Sequence, residues 1–132
     1  MSAIKKRKLF CELSPACYHI SLRKEYLLRD IHDRFSGEIF ARTRNTVPFS
    51  AVVKSHSSNA LRRLEGVDME LQRNKLVNLR LASAQINGLV VQPGETFSFW
   101  KLVGEPSAKR GYLDGLVISA GKIGRGVGGG LC

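Results

Sequence analysis

Between residues 14 and 37 apolar side chains recur at helical spacing: Ile20, Leu27, Leu28, Ile31 and Phe35, with Leu22 beside them. Ser14-Pro15 supplies a cap residue followed by a proline at the first helical position, where a missing N–H costs nothing. Gly37 stands where a left-handed residue would close the helix. The pattern predicts an amphipathic helix with Arg23, Lys24, Arg29 and Asp33 on its wet face. Residues 38–73 carry weaker signals. "FSAVVKSHSS" alternates in part and reads as one strand, Arg62-Arg63 falls in a helix turn or loop, and His32 and His56 read as solvated or locally bonded.

From residue 74 the pattern sharpens. "NKLVNLRLASAQINGLVV" places Leu76, Leu79, Ala82 and Ile86 on one helical face, with Asn74 able to cap the start and Asn87-Gly88 as a stop. A β-prone Leu89-Val90-Val91 follows, then Pro93-Gly94 at the centre of a type II turn. "TFSFW" reads as a short strand that sends Phe97 and Phe99 into the core and leaves Trp100 partly exposed. "GLVIS", "AGK" and Ile123 read as a further hairpin. Helices with short antiparallel strands and Gly-rich turns make the expected class α+β. Eleven of the thirteen glycines lie after residue 87. That shift divides the chain into a basic leader region, 1–73, and a glycine-rich domain, 74–132.

Composition narrows the function classes. The 132 residues suffice for one domain with a core. The formal charge of +10 is spread along the chain, with Lys5–Lys8 as its one basic block and no interleaving of aromatic and basic residues. A nucleic-acid partner is therefore not expected. No run approaches the roughly 20 apolar residues of a spanning helix. The segment after Lys8, "LFCELSPACYHI", is too interrupted for a signal peptide. Three cysteines give no complete disulfide framework, and Cys11, Cys17 and His19 lack a zinc spacing. Neither metal nor cofactor is expected.

The chemistry concentrates in "GRGVGGGLC", residues 124–132, where five of nine residues are glycine. The formal Gly124-x-Gly126-x-x-Gly129 is not a dinucleotide site, because the required βαβ unit and downstream acid are absent, and no P-loop lysine follows. Glycines next to a thiol suit a different task. Bare backbone lets N–H groups converge on one point and lets a substrate carbonyl lie close, which is the geometry of an oxyanion hole. Cys132 is then the candidate nucleophile, with Gly128, Gly129 and Gly130 as the oxyanion or substrate-binding loop. Tyr112 can donate a hydrogen bond near the site, and Arg125 can meet a substrate carboxylate. The bland alternatives are a small buried cysteine, a core tyrosine and a solvated loop cation.

Asn74-x-x-x-Asn78, Gly88, Pro93-Gly94-Glu95-x-Phe97-Ser98-Phe99, Val103-Gly104, Gly111-Tyr112 and Gly128-Gly129-Gly130-x-Cys132 occur in this order. Together they resemble the VanW-like family, tightly over about residues 70–132. The resemblance implies a bacterial cell-envelope setting, a link to vancomycin resistance, and peptidoglycan stem peptides as partners. It also implies a cysteine-dependent L,D-transpeptidase in the full-length form, with Cys132 as nucleophile, or else a non-catalytic peptidoglycan-binding or accessory module. The family's glutamine after the cysteine does not follow here, so the chain is expected to be an amino-terminal fragment, an incomplete domain, inactive and poorly stable by itself.

Overall fold

The computed structural model describes residues 9–61, 68–119 and 122–131. Expectations placed on Lys5–Lys8, Arg62-Arg63, Gly121 and Cys132 lie outside them. The chain divides into two units, residues 1–39 and 40–132.

The first unit contains a short 3-10 turn, Phe10–Glu12, and helix α1, Pro15–Phe35. The predicted cap is present: the Ser14 hydroxyl oxygen accepts from the Cys17 N–H at 3.2 Å, with Pro15 opening the helix. Gly37 takes φ +71° just past the C-cap Ser36. The predicted faces differ. No α1 residue is buried, and Ile20, Leu27, Leu28, Ile31 and Phe35 are all exposed. The half-buried stripe is instead Leu22, Tyr26, Arg29 and Asp33, two of them assigned to the wet face from sequence. The Arg29 guanidinium lies 5.1 Å from the Tyr26 ring centre, so its charged head packs on an aromatic neighbour one turn back.

The second unit is mixed α+β, as expected. Its central element is helix α2, Met69–Ile86. Asp68, not Asn74, caps it, because the Asp68 carboxylate accepts from the Glu70 N–H at 2.8 Å and starts the helix a turn and a half earlier. The C-terminal stop matches the sequence reading: Asn87 is the C-cap and Gly88 follows at φ +76°. The buried face is Gln72, Asn78 and Ala82, whereas Leu76 is 39% exposed. Residues 43–45 run antiparallel to 88–90, with Asn45 N–H donating to Gly88 O at 2.8 Å and Val90 N–H to Thr43 O at 2.9 Å. The Arg44 guanidinium donates to Gln85 O at the end of α2.

Residues 50–60 adopt no regular structure, so the strand expected over "FSAVVKSHSS" is absent. Val52 and Val53 are both exposed, and without a partner their alternation has nothing to pair with. The two-residue strand β1, Ile39–Phe40, pairs with β2, Glu95–Thr96, and the next amide, Ala41 N–H, donates to Thr96 O at 3.0 Å. The Pro93-Gly94 turn forms with Gly94 at φ +83° and Glu95 N–H donating to Gln92 O at 3.0 Å. Beyond it the expected "TFSFW" strand gives way to a short helix, α3, Phe99–Val103. Its N-cap Ser98 accepts from Lys101 N–H at 3.4 Å, and this local bond competes with strand pairing. Phe99 consequently packs on the core while Phe97 is 48% exposed.

The predicted hairpin forms from β3, Asp114–Ser119, and β4, Lys122–Val127, in antiparallel register from Asp114 opposite Val127 to Ser119 opposite Lys122. The core of the unit is Ala82, Val103 and Tyr112, with Leu81, Ile86, Phe99 and Leu131 packed against it. Among the described residues no helix is long and apolar enough to cross a membrane.

Candidate functional site: the glycine turn and its asparagine clamp

The glycine run forms a turn directly after β4, at Gly128–Gly130. Each glycine answers to a neighbour. A Cβ on Gly129 would overlap the backbone of Gly115 in β3, and a Cβ on Gly115 would overlap Gly129, so the two chains cross backbone on backbone. A Cβ on Gly128 would overlap the Pro106 ring, and one on Gly130 would meet Lys75 Cγ of α2 at 2.7 Å. Gly128 and Gly130 also hold φ +76° and +86°, which side chains with a Cβ resist. The run is thus packed between β3, α2 and the loop at Pro106.

Asn78 holds this turn in place. It is fully buried, and its carboxamide is used on both sides. The amide nitrogen donates to Leu113 O at 2.9 Å and to Gly129 O at 3.0 Å, while the oxygen accepts from Leu113 N–H at 2.8 Å. One side chain on α2 therefore fixes the residue before β3 and the middle of the turn after β4. Gly128 N–H closes the same corner by donating to Leu113 O at 2.9 Å. The buried amide meets three backbone groups, and removing it would orphan the Leu113 N–H and the Gly129 carbonyl, while the Leu113 carbonyl would keep the Gly128 N–H.

The candidate residues are distributed as follows. Gly128 and Gly129 have already committed their amides, the first to Leu113 O and the second to Gly126 O at 3.1 Å. The Gly130 amide has no acceptor among the described residues. Tyr112 is 2% exposed and belongs to the core, and its hydroxyl is buried without a hydrogen-bond partner among the described residues. The Arg110 guanidinium, which donates to Glu105 O at 2.8 Å, stacks 5.5 Å from the Tyr112 ring centre. Arg125 is on β4, where its Nε donates to Asp114 Oδ2 at 3.0 Å across the strands. Cys132 is outside the described residues. Leu131, immediately before it, packs against the core formed by Ala82, Val103 and Tyr112.

The sequence reading gave Asn78 no role beyond its place in a motif. The signal in the sequence was weak: Asn78 shares a helical face with Leu81 and Ala82 in the next turn, but Asn74 and Lys75 of the preceding turn lie on the same face.

Residues 74–132 match the family described as "VanW like protein". The chain is 39% identical over 106 residues to the Vancomycin B-type resistance protein VanW of Enterococcus faecalis, covering 75% of this chain and 36% of that protein. It is 42% identical over 55 residues to the uncharacterized protein YoaR of Bacillus subtilis, covering 42% of this chain and 18% of that one. The chain thus spans about a third or less of the length of these two relatives. No solved structure matches it. The matched segment begins at Asn74 and takes in both the asparagine clamp and the glycine turn; through residues 74–132 the chain belongs to the VanW-like family.

Proposed function

We propose that residues 74–132 are the framework of a cysteine-dependent acyl-transfer site in a bacterial cell-envelope protein connected with vancomycin resistance. The substrate class is the peptidoglycan stem peptide, and the reaction is L,D-transpeptidation. The observation that carries the reading is the clamp from Asn78 to Gly129, because it spends a fully buried amide on the turn that leads to Cys132. Ordering three consecutive glycines is entropically costly, and the chain holds all three in a packed turn just before Cys132 in sequence. The resistance protein VanW of Enterococcus faecalis supports the setting by its name and its likeness.

In the proposed chemistry the Cys132 sulfur attacks a stem-peptide carbonyl carbon. A C–S bond forms, the peptide C–N bond breaks through an oxyanion intermediate, and the thiol proton leaves on the departing amine. A second stem-peptide amine then attacks the thioester, forms the new amide and returns the proton to sulfur. The turn contributes by holding a backbone donor where negative charge develops on oxygen.

A second reading has a specific observation in its favour. The Gly128 and Gly129 amides are consumed by internal hydrogen bonds, as in a purely structural crossing. On that reading the domain is a non-catalytic peptidoglycan-binding or accessory module. The two separate in a chain extended over the length of its relatives, incubated with a stem-peptide donor and acceptor. The acyl-transfer reading expects a thioester adduct on Cys132 by intact mass, and loss of cross-linked product in Cys132→Ala. A Cys132→Ala variant with unchanged product, or binding without any adduct, overturns it.

A further inference from the structure

Helix α1 is amphipathic, yet none of its residues is buried. At 3.6 residues per turn Ile20, Leu27 and Ile31 form one stripe, with Leu28 and Phe35 beside them. All five are exposed, Phe35 to 80%. From Ile20 to Phe35 the stripe runs roughly 22 Å. The half-buried side chains Leu22, Tyr26, Arg29 and Asp33 lie on the opposite side of the helix. The charges nearest the stripe are all basic: Lys24 projects from within it, Arg34 borders it, and Arg23 stands next to that border. The acids Glu25, Asp30 and Asp33 lie roughly 100° or more from its centre. Lys24 Nζ meets Glu25 Oε1 at 3.2 Å, but the two side chains are 64% and 66% exposed, and a pair so wet holds Lys24 only weakly.

From this arrangement we propose that α1 lies along the surface of an anionic lipid bilayer, its apolar stripe in the acyl boundary and Lys24, Arg34 and Arg23 among the headgroup phosphates. The charge pattern selects this occupant. A protein core laid over the stripe would bury the Lys24 ammonium, whereas at a bilayer its stem follows the hydrocarbon and its head reaches the phosphates. A second copy of α1 would set basic borders against basic borders. The net charge of +10 on the whole chain draws it toward the same negative surface. The helix lies on the bilayer and does not cross it, since among the described residues no helix is long and apolar enough to do so. This contact is independent of the chemistry at Cys132, and either can fail without the other.

Vesicle flotation of the full chain tests the contact. Vesicles of phosphatidylcholine with about 30% phosphatidylglycerol are compared with phosphatidylcholine alone. Partitioning is expected to be about tenfold stronger on the anionic vesicles at ~0.1 M salt, and to fall toward the neutral value at ~0.5 M. Leu27→Ser with Ile31→Ser removes the middle of the stripe and is expected to weaken partitioning on the order of tenfold or more. Lys24→Gln with Arg34→Gln keeps the stripe and is expected to abolish most of the preference for anionic vesicles. Ile118→Ser with Ile123→Ser removes two exposed isoleucines from the β3–β4 ribbon instead, and is expected to leave partitioning within about twofold. Failure to float, equal partitioning on both vesicles, or an equal loss in the ribbon variant overturns the proposal. So does a lipid-free dimer in sedimentation equilibrium that Leu27→Ser with Ile31→Ser dissolves, which would make the occupant a second copy.

Discussion

Asn78 and Gly129 lie 51 positions apart in sequence and are joined by a buried hydrogen bond of 3.0 Å from the carboxamide of one to the carbonyl of the other. With the two bonds to Leu113, this contact ties helix α2 to both strands of the β3–β4 ribbon at its base. A lone two-stranded ribbon is marginal in water. Here it gains an anchor at its base, where Asp114 pairs with Val127 and the chain turns into the glycines.

That anchor can be weighed by removing it. Asn78→Leu keeps the branched side-chain skeleton with somewhat more volume and leaves the Leu113 N–H and the Gly129 carbonyl without their partner, while the Leu113 carbonyl keeps the Gly128 N–H. Unsatisfied buried groups cost about 1–3 kcal/mol each, partly relieved by relaxation. The expected loss is about 2–4 kcal/mol in urea unfolding of the full chain. A change below about 1 kcal/mol would show that the turn holds itself.

The ribbon's glycines fall into two kinds. Gly115→Ala and Gly129→Ala each force a methyl into a crossing backbone, and overpacking of that sort costs about 1–3 kcal/mol or more. At Gly124 and Gly126 an added Cβ would sit 3.6 Å from Val117 methyls, an ordinary contact, with no positive φ to oppose it. Alanine there is expected to stay within about 1 kcal/mol of the parent, because the gained contact and lower unfolded-state entropy offset any strain. Thermal denaturation of the four variants side by side distinguishes the pairs.

Arg125 offers a contrast of another sort. Its bond to Asp114 joins two side chains that are 54% and 39% exposed. Pairs in such a position contribute about 0–1 kcal/mol and weaken with salt. Arg125→Ala is therefore expected to move stability by less than about 0.5 kcal/mol in 0.15 M salt. If Arg125 also meets a substrate carboxylate in the extended protein, the same substitution raises KM there while stability is unchanged. An unaltered KM removes Arg125 from the site.

What was legible in the sequence was local chemistry. Ser14-Pro15, Asn87-Gly88 and Pro93-Gly94 each name their own backbone geometry, and the structure has all three. The β3–β4 hairpin was legible for a similar reason, since a ribbon is read from neighbours in sequence. The failures depended on distant partners. "FSAVVKSHSS" alternates in part like a strand but has none to pair with among the described residues, and Ser98 caps a helix that begins at Phe99 where "TFSFW" reads as a strand. At the candidate site the glycines were conspicuous, yet their reasons lay in Gly115, Pro106 and Lys75, which no spacing rule connects. Asn78 was visible as a motif residue, but its three bonds span 35 and 51 positions and needed the fold to appear.

Tyr112 permits the most discriminating of these measurements, because its ring and its hydroxyl answer separately. The ring belongs to the core with Ala82 and Val103 and carries the Arg110 guanidinium on its face. Tyr112→Ala deletes all of that and is expected to cost about 3–5 kcal/mol, as other large aromatic truncations do. Tyr112→Phe keeps the ring, the packing and the cation contact and removes only the hydroxyl, which is desolvated with no hydrogen-bond partner among the described residues. A polar group in that state opposes folding, so the phenylalanine variant is expected to be as stable as the parent or up to about 1 kcal/mol more stable. Urea midpoints for the two variants, read against the parent, give the sign. A loss of about 1 kcal/mol or more in Tyr112→Phe would mean that the hydroxyl already has an acceptor in solution. A gain in the free chain that turns into weaker stem-peptide binding in the extended protein would identify that acceptor as the ligand.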